Sequence, residues 1–190
     1  MAHPDERDAS AGTRLKDMSE AAAQPLRCIV ATVALGRGSV KDDVTQVVVD
    51  RLRAAGFHIG RSVTVNREKQ FVQQLVMTIT NGNDAEALIL IGGVGVGPRD
   101  FTCEAVDELV DRRMEGFGEA YRQILFEEGD SAASVAIARA TAGVCNRIFV
   151  VALPRQTAAI LRRAMDKLVV PMLPDAVRTA IGQGPPSASR

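Results

Sequence analysis

Ala87-Leu88-Ile89-Leu90-Ile91 runs straight into Gly92-Gly93-Val94-Gly95-Val96-Gly97-Pro98-Arg99-Asp100, and the reading of this stretch decides the fold. Five apolar residues with no polar alternation, too few for a helix, read as a strand buried on both faces. Such strands belong to parallel sheets, which need a crossover, usually a helix, between neighbours. The sequence upstream supplies that alternation. Cys28–Val33 reads as a first strand. Thr45–Ala55 carries Val48, Leu52 and Ala55 at helical spacing and is closed by Gly56. Phe57–Val65 reads as a second strand, and Phe71, Leu75 and Ile79 mark a helix ending at Asn81-Gly82-Asn83. Downstream, Thr102–Arg113 reads as one helix with Thr102 as its N-cap. Two further helical stretches follow, then a strand at Ile148–Leu153 that stops at Pro154, and helical spacing over Gln156–Leu168. The expected fold is a single α/β domain, with a mostly parallel sheet flanked by helices on both faces. In such sheets ligands sit beyond the carboxyl ends of the strands, where the glycine run and the Pro154 turn both fall.

The chain divides into a flexible extension at 1–26 (with room for a short helix at Leu15–Ala23), a compact domain at 27–181 and a disordered tail at 182–190. Among 190 residues, 46% are hydrophobic and 24% charged, enough for a substantial core. Lys+Arg and Asp+Glu both total 23, so no basic excess supports a nucleic-acid partner. No apolar run reaches the roughly 18–20 residues of a membrane span, and the acidic start Met1–Asp8 lacks the apolar core of a secretory signal. Cys28, Cys103 and Cys145 are widely separated and odd in number, and His3 and His58 are the only histidines. That pattern fits buried thiols in a reducing, cytoplasmic setting rather than zinc or a disulfide framework.

Two readings of the glycine run stay open on the residues alone. It can aim backbone N–H groups at an anion beside a helix start, or it can be a tight strand-to-helix turn that binds nothing. Gly93-Val94-Gly95-Val96-Gly97-Pro98 is not G-x-G-x-x-G, and no G-K-[ST] follows, so dinucleotide and P-loop readings fail. Arg99-Asp100 suits a ligand carrying phosphate and a divalent metal; a surface ion pair or a helix cap explains it equally.

With its neighbours the stretch resembles a known family. Gly92–Gly95, with Arg99, Asp100, Thr102, Glu104 and Ala105, is similar to the G-G-T-G…R-D-x-T-x-E-A signature of the MoaB/MogA molybdenum-cofactor biosynthesis family. Gly116-Phe117-Gly118-Glu119 resembles its G-F-G-E segment, and Arg139–Gly143 its S-R-x-x-A-G helix. The strand ending at Pro154 sits where that family has P-G-[SNQ], and 38–55 resembles its D-x-S-G loop and following helix. The resemblance covers about residues 27–175. It implies a MogA-like three-layer domain that binds molybdopterin and assembles as a homotrimer or hexamer, with other cofactor-pathway proteins as partners. For adenylylating members it also implies Mg and ATP. Carried over residue by residue, Gly92, Gly93, Val94 and Gly95 form the ligand loop. Arg99, Glu119, Arg139, Pro154, Arg155 and Gln156 line the ligand, and Asp100 is the catalytic, metal-handling carboxylate.

This chain departs from the family pattern within that pocket. Val94 stands for Thr, Ala138 for Ser, Arg155 for Gly, Thr45-Gln46 for Ser-Gly behind Asp42-Asp43-Val44, and Asn66 for a second acidic residue. Arg155 can offer a phosphate its guanidinium, or it can fill the pocket. Two functions follow. One is a molybdopterin-binding protein of cofactor biosynthesis, with or without Mg-ATP-dependent adenylylation. The other is a non-catalytic member with an altered pocket, acting as an oligomeric binding or assembly protein for another anionic ligand. Asp111-Arg112-Arg113 is expected to be a solvated helix end, Phe117 to pack at a bend, and Tyr121 and Phe126 to serve the core or a subunit contact.

Overall fold

The computed structural model describes residues 25–35 and 43–183. The expected Leu15–Ala23 helix, the 36–42 loop with Asp42, and the tail from 184 lie outside the described residues. In chain order the elements are β1 (Arg27–Ala34), α1 (Asp43–Ala54), β2 (His58–Asn66), α2 (Lys69–Thr80), β3 (Ala87–Ile91), α3 (Thr102–Asp107), β4 (Arg112–Arg113), α4 (Glu115–Glu127), α5 (Ala132–Ile137), β5 (Thr141–Cys145), β6 (Ile148–Leu153) and α6 (Ala158–Ala164). A π-helical turn, Met165–Val169, leads from α6 into α7 (Val170–Ala180). The described strands form one sheet in the order β2-β1-β3-β6-β5-β4. The β1–β2, β1–β3 and β3–β6 pairs are parallel, and β4–β5 and β5–β6 are antiparallel.

Alternation along the strands divides the core. Cys28, Val30, Ile89, Ile91, Phe149, Val151 and Leu153 pack on one face with α1, α4, α6 and α7. Ile29, Ala31, Val33, Leu88, Leu90, Val150 and Ala152 pack on the other with α2 and α3. Both faces are covered, which is why these strands read as unbroken apolar runs. Tyr121 is buried in the first core, with its hydroxyl unpartnered among the described residues, and Phe117 is buried too. Phe126 is 60% exposed. All three cysteines are free and buried; burial pushes the Cys28 thiol up to about 12 and the Cys103 thiol up to about 11.

Three expectations are corrected. The helix expected over Thr102–Arg113 ends at Asp107, and Arg112 and Arg113 pair with Val144 and Gly143 as an edge strand instead of forming a solvated helix end. The backbone is drawn onto the sheet edge on either side, through Asp111 N–H to Val144 O at 2.8 Å and Met114 N–H to Ala142 O at 2.8 Å. Thr102 is the first helical residue, not the N-cap, because its hydroxyl donates backwards to the Gly92 carbonyl at 2.9 Å. Arg139–Gly143, expected as helix, enters β5 at Thr141. A two-residue turn, Asn146-Arg147, with φ of +46° and +69°, folds β5 against β6 as a hairpin.

Candidate functional site

The site is set by where the parallel strands stop. Ala34 pairs with Asn66, Thr32 with Ile91, and Ile91 with Leu153, so β1, β2, β3 and β6 end along one edge. The chain goes from β1 to β2 through α1 on one face, then over β1 to β3 through α2 on the other. The carboxyl ends of β1 and β3 therefore flank the switch point, where such sheets open a crevice. The glycine run leaves β3 at that crevice.

The loop is tightly held. Gly92 N–H donates to Leu153 O at 2.9 Å, and Thr102 N–H to Gly93 O at 2.8 Å. Gly92 has φ +105°, and a Cβ there would lie 2.6 Å from Val33 O. A Cβ on Gly93 would lie 2.5 Å from Thr102 Oγ1. Gly95 and Gly97 make room for Asp100, since added Cβ atoms would reach its Oδ2 at 2.6 and 2.8 Å. These four glycines serve close approach within the chain itself. Val94, 1% exposed, packs into the second core.

The structure brings Arg139 to the loop. It donates to Gly95 O at 3.1 Å and to Glu104 Oε1 at 2.6 Å, fastening the loop to α3. The other Glu104 oxygen is buried without a partner among the described residues. Asp100 Oδ2 accepts from Gly97 N–H at 3.1 Å, and Oδ1 faces Arg67 Nη2 at 2.7 Å. Pro154 and Gln156 are half-buried and Arg155 is exposed, just past the end of β6. Glu119 lies exposed on α4. Its neighbour Gly118 packs so close to Ala140 O that a Cβ would come within 2.9 Å. Asn66 donates to Glu68 Oε1 at 3.0 Å.

Sequence reading missed the cleft beside the loop. It has a volume of about 740 Å³ and is lined by residues of three strand ends: Leu35 after β1, Arg67 to Gln70 and Gln73 after β2, and Arg99 and Phe101 after β3. Arg67 carries no motif. Its place one residue beyond a parallel strand was the signal available for it.

The fold and the crevice define a class: doubly wound α/β domains with a glycine loop at the switch point, built to receive a small ligand. Within that class, residues 15–175 match the model of the family described as "Probable molybdopterin binding domain". The molybdenum cofactor biosynthesis protein B of Bacillus subtilis (strain 168) is 32% identical over 164 residues, 86% of this chain and 95% of that protein. The protein of that name from Escherichia coli is 32% identical over 149 residues, 78% of this chain and 86% of its own length. A solved structure of a molybdenum cofactor biosynthesis protein B superposes with a TM-score of 0.76 at 30% identity, covering 83% of this chain and 97% of that one. The molybdopterin biosynthesis enzyme MoaB from Thermus thermophilus gives 0.71 at 26% identity, over 84% and 98% of the two chains. The chain belongs to this molybdopterin-binding MoaB/MogA family.

Proposed function

We propose that this protein binds molybdopterin for molybdenum cofactor biosynthesis, with the phosphate end of the pterin at the crevice between β1 and β3. The observation that carries the reading is the joint position of the glycine loop and the cleft at the switch point. Gly92, Gly93, Val94 and Gly95 shape the loop, and Arg99 lines the cleft. Pro154, Arg155 and Gln156 stand at the end of the adjacent parallel strand. Arg139 is assigned a positioning role, because its guanidinium holds the loop, and Glu119 is kept at the margin of the site.

Binding without adenylyl transfer is the form the geometry favours. Transfer from Mg-ATP needs a metal close to the phosphates, and the carboxylate put forward to handle it, Asp100, is held by Arg67 and the Gly97 amide. The residues around Asp100 do not fit a magnesium site. Isothermal titration with molybdopterin, beside an authentic family member, tests the reading: heat at comparable concentration is expected, and none would overturn it. Incubation with molybdopterin and Mg-ATP is expected to leave no AMP attached. Transfer that disappears in Asp100→Ala would restore the catalytic reading.

Self-association, as a homotrimer or hexamer, is part of the proposal. Support comes from α5, which has no buried residue and ends on Ile137, 61% exposed. Ile137→Asp is expected to lower the mass in analytical ultracentrifugation without unfolding the chain; an unchanged mass would remove α5 from the interface. The proposed setting is the cytoplasm, which three free thiols support, with other cofactor-pathway proteins as partners.

A further inference from the structure

We propose that Arg67 occupies, with its guanidinium, the place of a divalent cation at Asp100, so that the crevice binds its phosphate-bearing ligand independently of metal. For the ligand this rests on the molybdopterin reading above. For the metal it rests on the geometry alone.

Both oxygens of Asp100 are engaged. Oδ1 faces Arg67 Nη2 at 2.7 Å, Oδ2 takes the Gly97 amide at 3.1 Å, and the side chain is 14% exposed. Gly95 and Gly97 also approach Oδ2 closely, since a Cβ on either would fall 2.6 or 2.8 Å from it. Magnesium binds oxygen at about 2.0–2.1 Å in a near-octahedral shell that keeps several waters, and at Oδ2 such a shell would compete with the Gly97 amide. Reaching Oδ1 would mean expelling a guanidinium fixed at a second point, because Arg67 Nε also donates to Arg99 O at 3.3 Å.

The carboxylates nearby offer no substitute. Glu68 accepts from Asn66 and Gln70, Glu104 is bonded to Arg139, and Glu108 accepts from Lys69 and Gln73. Among the described residues no cluster of three or more His, Cys, Asp or Glu could hold a metal. The positive charge that screens a phosphate must then come from the protein. Arg67 and Arg99 both line the cleft, and guanidinium is suited to planar, charge-assisted contact with phosphate oxygens.

The test follows Mn²⁺ by the electron paramagnetic resonance signal of the free ion, using the full-length chain with no pterin present. Wild-type protein is expected to show no Mn²⁺ site that Asp100→Asn removes. Arg67→Ala is expected to gain a Mn²⁺ site about tenfold or more tighter than the residual association of the ion with the wild type, as removal of an opposing charge at a half-buried carboxylate implies, and Arg67→Ala/Asp100→Asn to lose that gain. Arg67→Gln, which keeps the length of the side chain, is the second variant if alanine disturbs folding, checked by circular dichroism. In parallel, wild-type affinity for pyrophosphate is expected to agree within about twofold with and without excess Mg²⁺, and to fall about tenfold in Arg67→Ala. An Asp100-dependent Mn²⁺ site in the wild type, or no gain in either Arg67 variant, overturns the proposal. Pyrophosphate that binds under neither condition overturns the phosphate reading of the cleft instead, and the Mn²⁺ result still decides the role of Arg67.

Discussion

Gly92→Ala is expected to destabilise the fold by about 2–5 kcal/mol, read as a fall in the urea midpoint. Two costs combine at this position. A φ of +105° is foreign to L side chains, and the new Cβ would sit 2.6 Å from the Val33 carbonyl oxygen. That oxygen belongs to β1, which is paired on both sides by β2 and β3, so it cannot give way without disturbing strand pairing. Two further variants separate the costs. Gly56 also has positive φ, +86°, but open space around it, so Gly56→Ala reports the conformational part alone, about 1–2 kcal/mol. Gly95→Ala reports contact without positive φ, against Asp100 Oδ2. If Gly92→Ala costs no more than Gly56→Ala, the close approach of loop and β1 is wrong.

Leu153→Ala should be comparably severe, at about 2–5 kcal/mol. Leu153 is fully buried in the first core, pairs with Ile91, and its carbonyl accepts the Gly92 amide. It is also the last residue of β6 before the Pro154 turn. Loss of its side chain leaves a cavity in the first core at the residue that precedes the Pro154 turn and holds Gly92 through its carbonyl, so molybdopterin affinity should fall along with stability. Urea melts and titration of the same variant check the two effects. Val96→Ala, at a position 68% exposed, is the control and should stay within about 0.5 kcal/mol of the wild type. A Leu153→Ala protein as stable as that control would contradict the packing described here.

Legibility of the fold followed how local its causes were. Ala87–Ile91 was readable to the residue, because a buried parallel strand has no polar alternation and Gly92 ends it. The helix Asp43–Ala54 was readable to within a residue or two, because its apolar stripe and Gly56 are local signals. Arg112–Arg113 was not readable. Nothing in two arginines specifies a strand; they become one because Val144 and Gly143 present an unpaired edge. Thr141–Cys145 was misread for a related reason: Thr-Ala-Gly-Val-Cys has no strong period, and the Asn146-Arg147 turn that folds it onto β6 uses positive φ without a glycine.

The same division runs through the site. The sequence by itself determined the glycine run, its place after a buried strand, and the family motifs around it, because those depend on residue type and spacing along the chain. Only the tertiary structure decided which groups the glycines and Asp100 approach. Arg67 and Asp100 are 33 positions apart and meet because β2 and β3, on either side of β1, end at the same edge of the sheet. An ion pair between loops of separate strands leaves no pattern along the chain. That pair gives a carboxylate legible as a metal ligand a guanidinium for its partner.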